Sequence, residues 1–143
     1  MGIFKKLLRM SPRQLLMIPE AVFLTGWYRY RILHRPFSEL SPQIGALGME
    51  TPLNAKRSPT VTQVKGIMEA VSKRMPWTCN CMVQALTAKK MLARRGFPST
   101  LYMGVAPGEN GEMDAHAWLR YGNMFISGRT GAERFTVTTI YGP

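Results

Sequence analysis

The hydrophobic period of this chain changes at Gly96, and that change limits the folds open to it. Before Gly96, apolar residues recur at helical spacing. Val61, Val64, Ile67, Met68 and Val71 share one face of a stretch opened by Ser58-Pro59, and Met82, Ala85, Leu86, Met91 and Leu92 share one between Trp77 and Gly96. After Gly96, Leu101, Met103 and Val105 alternate with Thr100 and Tyr102. A second alternating run, Met113 to Tyr121, follows an Asn110-Gly111 turn. Gly122-Asn123 then turns the chain into Met124 to Ser127, and a Thr- and Val-rich strand is expected from Phe135 to Tyr141. Helices first and an antiparallel sheet second make an α+β plan.

Upstream, Ser11-Pro12 is a cap and first-turn pair for a helix running towards Leu33, with a kink expected at Pro19. Met1 to Met10 reads as a short basic amphipathic piece, in which Lys5, Lys6 and Arg9 stand beside Ile3, Phe4, Leu7 and Leu8. Pro36 to Pro59, rich in Pro, Ser and Gly, reads as an ordered surface crossing. The expected organisation is one compact domain, with residues 1–58 packed as a helical region and crossing on a core at 59–143.

Nineteen Lys and Arg against eight acidic residues give a net charge of +11, which implies attraction to something anionic. Seven of the basic residues and only one acid lie in the first 35 positions. The plain reading there is a helix packed on the domain with a solvated basic face; contact with a membrane surface or an acidic partner stays open. The most apolar run, Leu15 to Gly26, is about a dozen residues against the ~20 needed to span a bilayer, and no signal-peptide cleavage site follows. Cys79 and Cys81 are too close in sequence to bridge each other, so the chain reads as one from a reducing cytosol. There is no phosphate loop, dinucleotide fingerprint, zinc-ligand spacing or nucleic-acid motif, so neither a cofactor, a metal nor a nucleic-acid partner is expected.

The chemistry centres on Cys81. Pro76, Thr78 and Asn80 break whatever precedes, which sets Cys81 at a helix N-terminus, where free backbone N–H groups and the positive dipole end stabilise a thiolate. Cys79 lies before the helix proper and reads as a packing thiol. In the second strand Asp114, His116, Trp118 and Arg120 fall on one face and the apolar residues on the other. A cysteine at a helix end and a histidine on a strand is how a nucleophile and base pair is built in papain-like and transglutaminase-like folds. His34, at the end of the first helix, reads as an interfacial histidine.

The motifs Cys81-Met-Val-Gln-Ala-Leu, Leu92-Ala-Arg-Arg-Gly96, Leu101-Tyr-Met-Gly-Val105 and Ala115-His-Ala-Trp-Leu119 together resemble the leader peptidases of lasso-peptide biosynthesis. These are small transglutaminase-like cysteine proteases, and the likeness covers about residues 60–141. The resemblance implies a cysteine endopeptidase that removes the leader from a ribosomally made precursor, freeing an amine for a lasso cyclase to join in a macrolactam. It also implies a leader-binding partner protein. Cys81 matches the nucleophile and His116 the general base; Trp118 and Trp77 are candidate substrate contacts. Relatives often carry Asp on the strand after the histidine strand, where this chain has Ser127-Gly128. The third member stays open among Ser127 or a backbone carbonyl, Asp114 and Glu133. Ser127 enters as a diagonal neighbour of His116 if the Gly122-Asn123 turn is followed by unbroken pairing. The oxyanion donor is expected to be the Cys81 N–H with Trp77, Asn80 or Gln84.

Overall fold

The computed structural model describes residues 2–143; Met1, the first residue of the expected amphipathic piece, and the Ile3 side chain lie outside the described residues. Helix α1 spans Gly2–Leu8 and α2 spans Pro12–His34. Ser11 opens α2 with a reciprocal cap: its Oγ accepts from Gln14 N at 3.3 Å and its own N–H donates to Gln14 Oε1 at 2.8 Å. The helix runs through Pro19 as one element. The expected surface crossing contains a further helix, α3, Phe37–Ile44. Its Pro- and Ser-rich composition hides it, but Leu40 is 3% exposed and seats in the core, and Arg35 pairs with Glu39 one turn on. Tertiary burial overrides local composition here.

Helix α4, Pro59–Ser72, is capped by Ser58, whose Oγ accepts from Thr60 N at 3.2 Å. Helix α5, Cys81–Ala93, packs on α2 and α4 on one side and on the sheet on the other. Being covered on most sides, it buries Val83, Ala85, Leu86, Ala88, Met91 and Leu92 around nearly its whole circumference, so its amphipathic pattern is weak.

The sheet comprises β1 (Thr100–Pro107), β2 (Met113–Tyr121), β3 (Met124–Ser127) and β4 (Thr136–Tyr141), in the order β3-β2-β1-β4 and antiparallel throughout. A single 3-10 turn, Ala132–Arg134, lies in the crossover that carries the chain from β3 at one edge to β4 at the other. On the helix side, Leu101, Ala117, Leu119 and Tyr121 join Ala21, Leu24, Val64 and Met68 in one core. Fully burying a Leu or Met side chain contributes roughly 1.5–3 kcal/mol, so this layer supplies most of the folding drive. The C-terminal end of α5 is fastened by Lys89, whose buried Nζ donates to Ser99 O at 2.8 Å and Gly142 O at 3.0 Å. Burial lowers that ammonium to about 8.

The far face is closed by the segment between α3 and α4. Arg120 donates to Thr51 O at 3.0 Å and Gly122 O at 2.7 Å, and Tyr102 OH donates to Glu50 at 2.6 Å.

Candidate active site

The end of α5 is prepared by its own flanking residues. Asn80 is the cap: its Oδ1 accepts from Val83 N at 3.0 Å, and Gln84 Nε2 donates to Cys79 O at 2.7 Å. Cys81 is thus the first helical residue, half-buried, with a backbone N–H that helix geometry leaves without an intrahelical acceptor. Of the side chains considered as oxyanion donors, Gln84 has its Nε2 and Trp77 its Nε1 engaged, the latter with Thr25 Oγ1 at 3.2 Å, whereas Asn80 is engaged through its acceptor oxygen alone. The Trp77 ring lies against Gly26, where an added Cβ would stand 3.3 Å from it. Trp77 therefore props the entry to α5 on α2. Cys79 is buried beside Thr25 and Trp77, and burial pushes its thiol up, away from the nucleophilic form.

His116 sits on β2 opposite Gly104 of β1, and its Nε2 is 2.7 Å from Gly128 O. A carbonyl oxygen only accepts, so Nε2 carries the proton and Nδ1 is the nitrogen left with a lone pair in the neutral ring. The imidazole is sandwiched between Trp118, at 5.7 Å between centroids, and Phe135, at 5.0 Å; Tyr102 stacks on Trp118 in turn. This wall needs the glycine at 104, because a Cβ there would stand 3.0 Å from the Trp118 ring and 2.9 Å from Thr136 O.

None of the three side chains considered as third member hydrogen-bonds to the imidazole. Pairing runs as expected through Tyr121↔Met124 and Arg120↔Phe125, then slips by a residue, so that Ser127 faces Leu119 instead of Trp118. A one-residue slip reverses the side of the sheet a residue occupies. Ser127 is thereby turned to the helix face, and its Oγ is buried with no partner among the described residues. The same slip brings the next residue's carbonyl, that of Gly128, to His116. Asp114 shares the imidazole's face but pairs with Arg134 at 3.0 Å, and Glu133 is exposed on the 3-10 turn. Phe135 and Gly128 were the two contributors that residue types did not mark; the only signal was the missing acid at Ser127-Gly128.

A family model described as the transglutaminase-like superfamily matches residues 27–139, more than three quarters of the chain. The chain belongs to the transglutaminase-like superfamily. Its members generally act as cysteine proteases or acyltransferases. Searches of curated proteins and of solved structures returned no match.

In this transglutaminase-like chain the thiol and the imidazole are brought to the same end of the sheet. The C-terminal end of α5 lies at Tyr121, where Phe97 packs edge-on at 5.8 Å. Thirteen helical residues and six strand residues both span about 20 Å, which sets Cys81 about level with Ala115 and His116. There the helix cover stops: Ala117 is 1% exposed, whereas Ala115 is open to solvent. Alternation nevertheless turns His116 and Trp118 to the face away from α5, and among the described residues no hydrogen bond joins Cys81 and His116. No group of three or more His, Cys, Asp or Glu among the described residues is gathered as a metal site would require.

Proposed function

We propose that this chain is a cysteine endopeptidase that cleaves the leader from a ribosomally made lasso-peptide precursor and frees the core amine for macrolactam formation. In this reading the Cys81 thiolate attacks the carbonyl carbon of the scissile bond, and the oxyanion forms beside the Cys81 N–H. Because the two groups lie on different faces in the free chain, the peptide complex must bring the entry of α5 round the open end of β2 to the imidazole. His116 then takes the thiol proton at Nδ1 and returns it to the departing core amine, leaving the leader as a thioester on Cys81. Water then releases the leader as a free acid and regenerates the thiol. Gly128 O acts as the orienter, holding the ring in the Nε2–H tautomer that this proton transfer uses. What carries the reading is the position of Cys81, a half-open thiol on the first residue of a capped helix, in contrast to the buried Cys79. The partners it calls for are the precursor peptide, a leader-binding protein that raises the local concentration of leader, and a cyclase that takes the product.

A second reading, a transglutaminase-like module without catalysis that binds through its basic surface, has one observation in its favour. The thiol and imidazole face opposite sides of the sheet and the third-member carboxylate is missing. One experiment separates these readings. The precursor is incubated with the chain and a leader-binding protein and then weighed by mass spectrometry. Two fragments, lost in Cys81→Ala and kept in Cys79→Ala, support the peptidase. A mass gain on the peptide means acyl transfer to an amine in place of water, and an unchanged peptide at every enzyme concentration favours the binding module.

A further inference from the structure

The basic residues Lys5, Lys6, Arg9 and Arg13 of the N-terminal region are solvated, but the outward side of α2 also carries apolar and aromatic groups. Met17, Ala21, Leu24 and Thr25 are buried, while on the opposite side of the wheel Leu16, Phe23, Trp27 and Tyr30 are 71%, 68%, 43% and 53% exposed. The rings are ordered as a ladder, Phe23 to Trp27 at 6.4 Å and 8°, Trp27 to Tyr30 at 6.3 Å, Tyr30 to His34 at 4.9 Å. From Leu16 to Tyr30 this ridge is about 21 Å long. Glu20 is the one polar step in it, and the stacked rings from Phe23 to Tyr30 make the continuous part; an apolar strip of that kind on a charged chain marks a contact surface.

The charges beside the strip say what kind. Arg13 and Arg31 flank it at the same angle on the wheel, and the Arg31 guanidinium lies 5.6 Å from the Trp27 ring. The preceding α1 adds Lys5 and Lys6 between Phe4 and Leu8, which are 76% and 83% exposed. The single acid of α2, Glu20, lies on this face between Leu16 and Phe23, but its carboxylate is largely buried and held by Arg94 and Arg95 at 3.0 and 2.7 Å. A second copy would bring two basic flanks together in a chain of net charge +11, which disfavours self-association. A convex ridge also has no recess for a protein knob, whereas a fluid surface needs none. No helix among the described residues is long and apolar enough to cross a membrane.

We propose that the outward face of α2 rests in the interface of an anionic phospholipid bilayer. The Phe23, Trp27 and Tyr30 rings lie at the acyl boundary and Arg13 and Arg31 reach the lipid phosphates. This surface is separate from the Cys81 chemistry and does not depend on it. The test uses the full chain with vesicles of pure phosphatidylcholine and vesicles containing about one quarter phosphatidylglycerol, at about 0.15 M salt. The chain is expected to sediment with the anionic vesicles at least tenfold more tightly, with a blue shift in Trp emission. Trp27→Phe should keep sedimentation and lose the shift, because Trp118 is buried and Trp77 is held on α2. The pair Phe23→Ser with Trp27→Ser should weaken binding about tenfold or more. Arg13→Glu with Arg31→Glu, which leaves the rings in place, should remove the anionic preference by a similar factor. Thermal melts of each variant establish that it is folded. Equal binding to both vesicles, no binding to either, an unchanged shift in Trp27→Phe, or a dimer broken by the serine pair in the absence of vesicle binding would each overturn the proposal.

Discussion

On the helix side of the sheet Leu101, Ala117 and Leu119 are 0%, 1% and 0% exposed and belong to one aliphatic core with α5; on the other side stand Tyr102, His116, Trp118 and Arg120, stacked and hydrogen-bonded in a row. The same strands make both sides, yet the means of support differ. The first side is held by close packing, in which every methyl matters. The second is held by a few directional bonds, chiefly Nε2 of His116 to Gly128 O and Arg120 to Thr51 O, and is covered by connecting segments instead of helices. Substitutions on the two sides should therefore separate stability from chemistry.

The largest effect is expected on the second side. Under the proposed mechanism His116→Ala removes the general base and should lower leader cleavage by about 10²–10⁴-fold, as acid–base catalysis commonly contributes. Its cost in stability should stay near 1 kcal/mol, since the ring gives up one hydrogen bond to a carbonyl and is only half-buried. Cleavage assays and urea melts on one preparation decide it. A loss of several kcal/mol would place His116 in the framework and erase the contrast.

The mirror experiment is Leu119→Ala. With no exposure and with α5 above it, the lost methyl groups leave a cavity, and about 3 kcal/mol of stability should go. Material that remains folded should cleave at close to the wild-type rate. Unchanged stability would mean that the helix side is less tightly packed than its burial implies.

Much of this two-sided arrangement is legible in the sequence. The bounds of β2 and β3, the cap at Ser11 and the entry to α5 follow from alternation, turn residues and capping chemistry, all of which are local. What escaped was set by distant contacts or by a single-residue slip. Helix α3 forms because Leu40 finds the core, which no Pro-rich segment announces. The irregularity after Leu119 has no signature residue, and it alone decides on which side Ser127 lies. The basic count of the N-terminal segment was correct, but charge counted along a segment does not say which face of α2 the arginines leave free. The candidate pair Cys81 and His116 was marked by residue type and element, whereas its orienting carbonyl belongs to no residue type.

A smaller, pH-dependent effect tests the helix side at its polar anchor. Lys89 has its ammonium lowered by burial from 10.5 to about 8. Below the folded value both states carry the proton and the cost of the buried charge is fully present. Between the two values the unfolded chain holds a proton that the folded chain has released, so stability rises with pH. From pH 8 to 9.5 the rise should reach at most about 2 kcal/mol. Cys79, whose thiol is pushed up by burial, opposes it above its ordinary range. The difference between wild type and Lys89→Met isolates the lysine, because Cys79 is common to both. Parallel stability curves for the two proteins would show that Lys89 stays charged throughout, held by the Ser99 and Gly142 carbonyls.

The smallest effect is the most discriminating for the site. If the strands paired without a slip, Ser127 would stand beside His116 and its hydroxyl would be the natural orienter. With the observed register it points to the helix side as a buried oxygen with no partner. An unpartnered hydroxyl in an apolar layer stabilises nothing, so Ser127→Ala should leave stability unchanged or raise it by a few tenths of a kcal/mol. Leader cleavage should stay within a few-fold of wild type, and Asp114→Asn and Glu133→Gln should behave alike, since neither side chain hydrogen-bonds to the imidazole. Gly128 cannot be tested by removing its carbonyl, but it can be tested by displacement. At its φ of 74° an added Cβ would collide with Ala117 O. Gly128→Ala should therefore move the carbonyl and reduce cleavage more than any of the three side-chain changes. A strong loss in Ser127→Ala with Gly128→Ala unaffected would return the orienter to the hydroxyl and the strands to unbroken pairing.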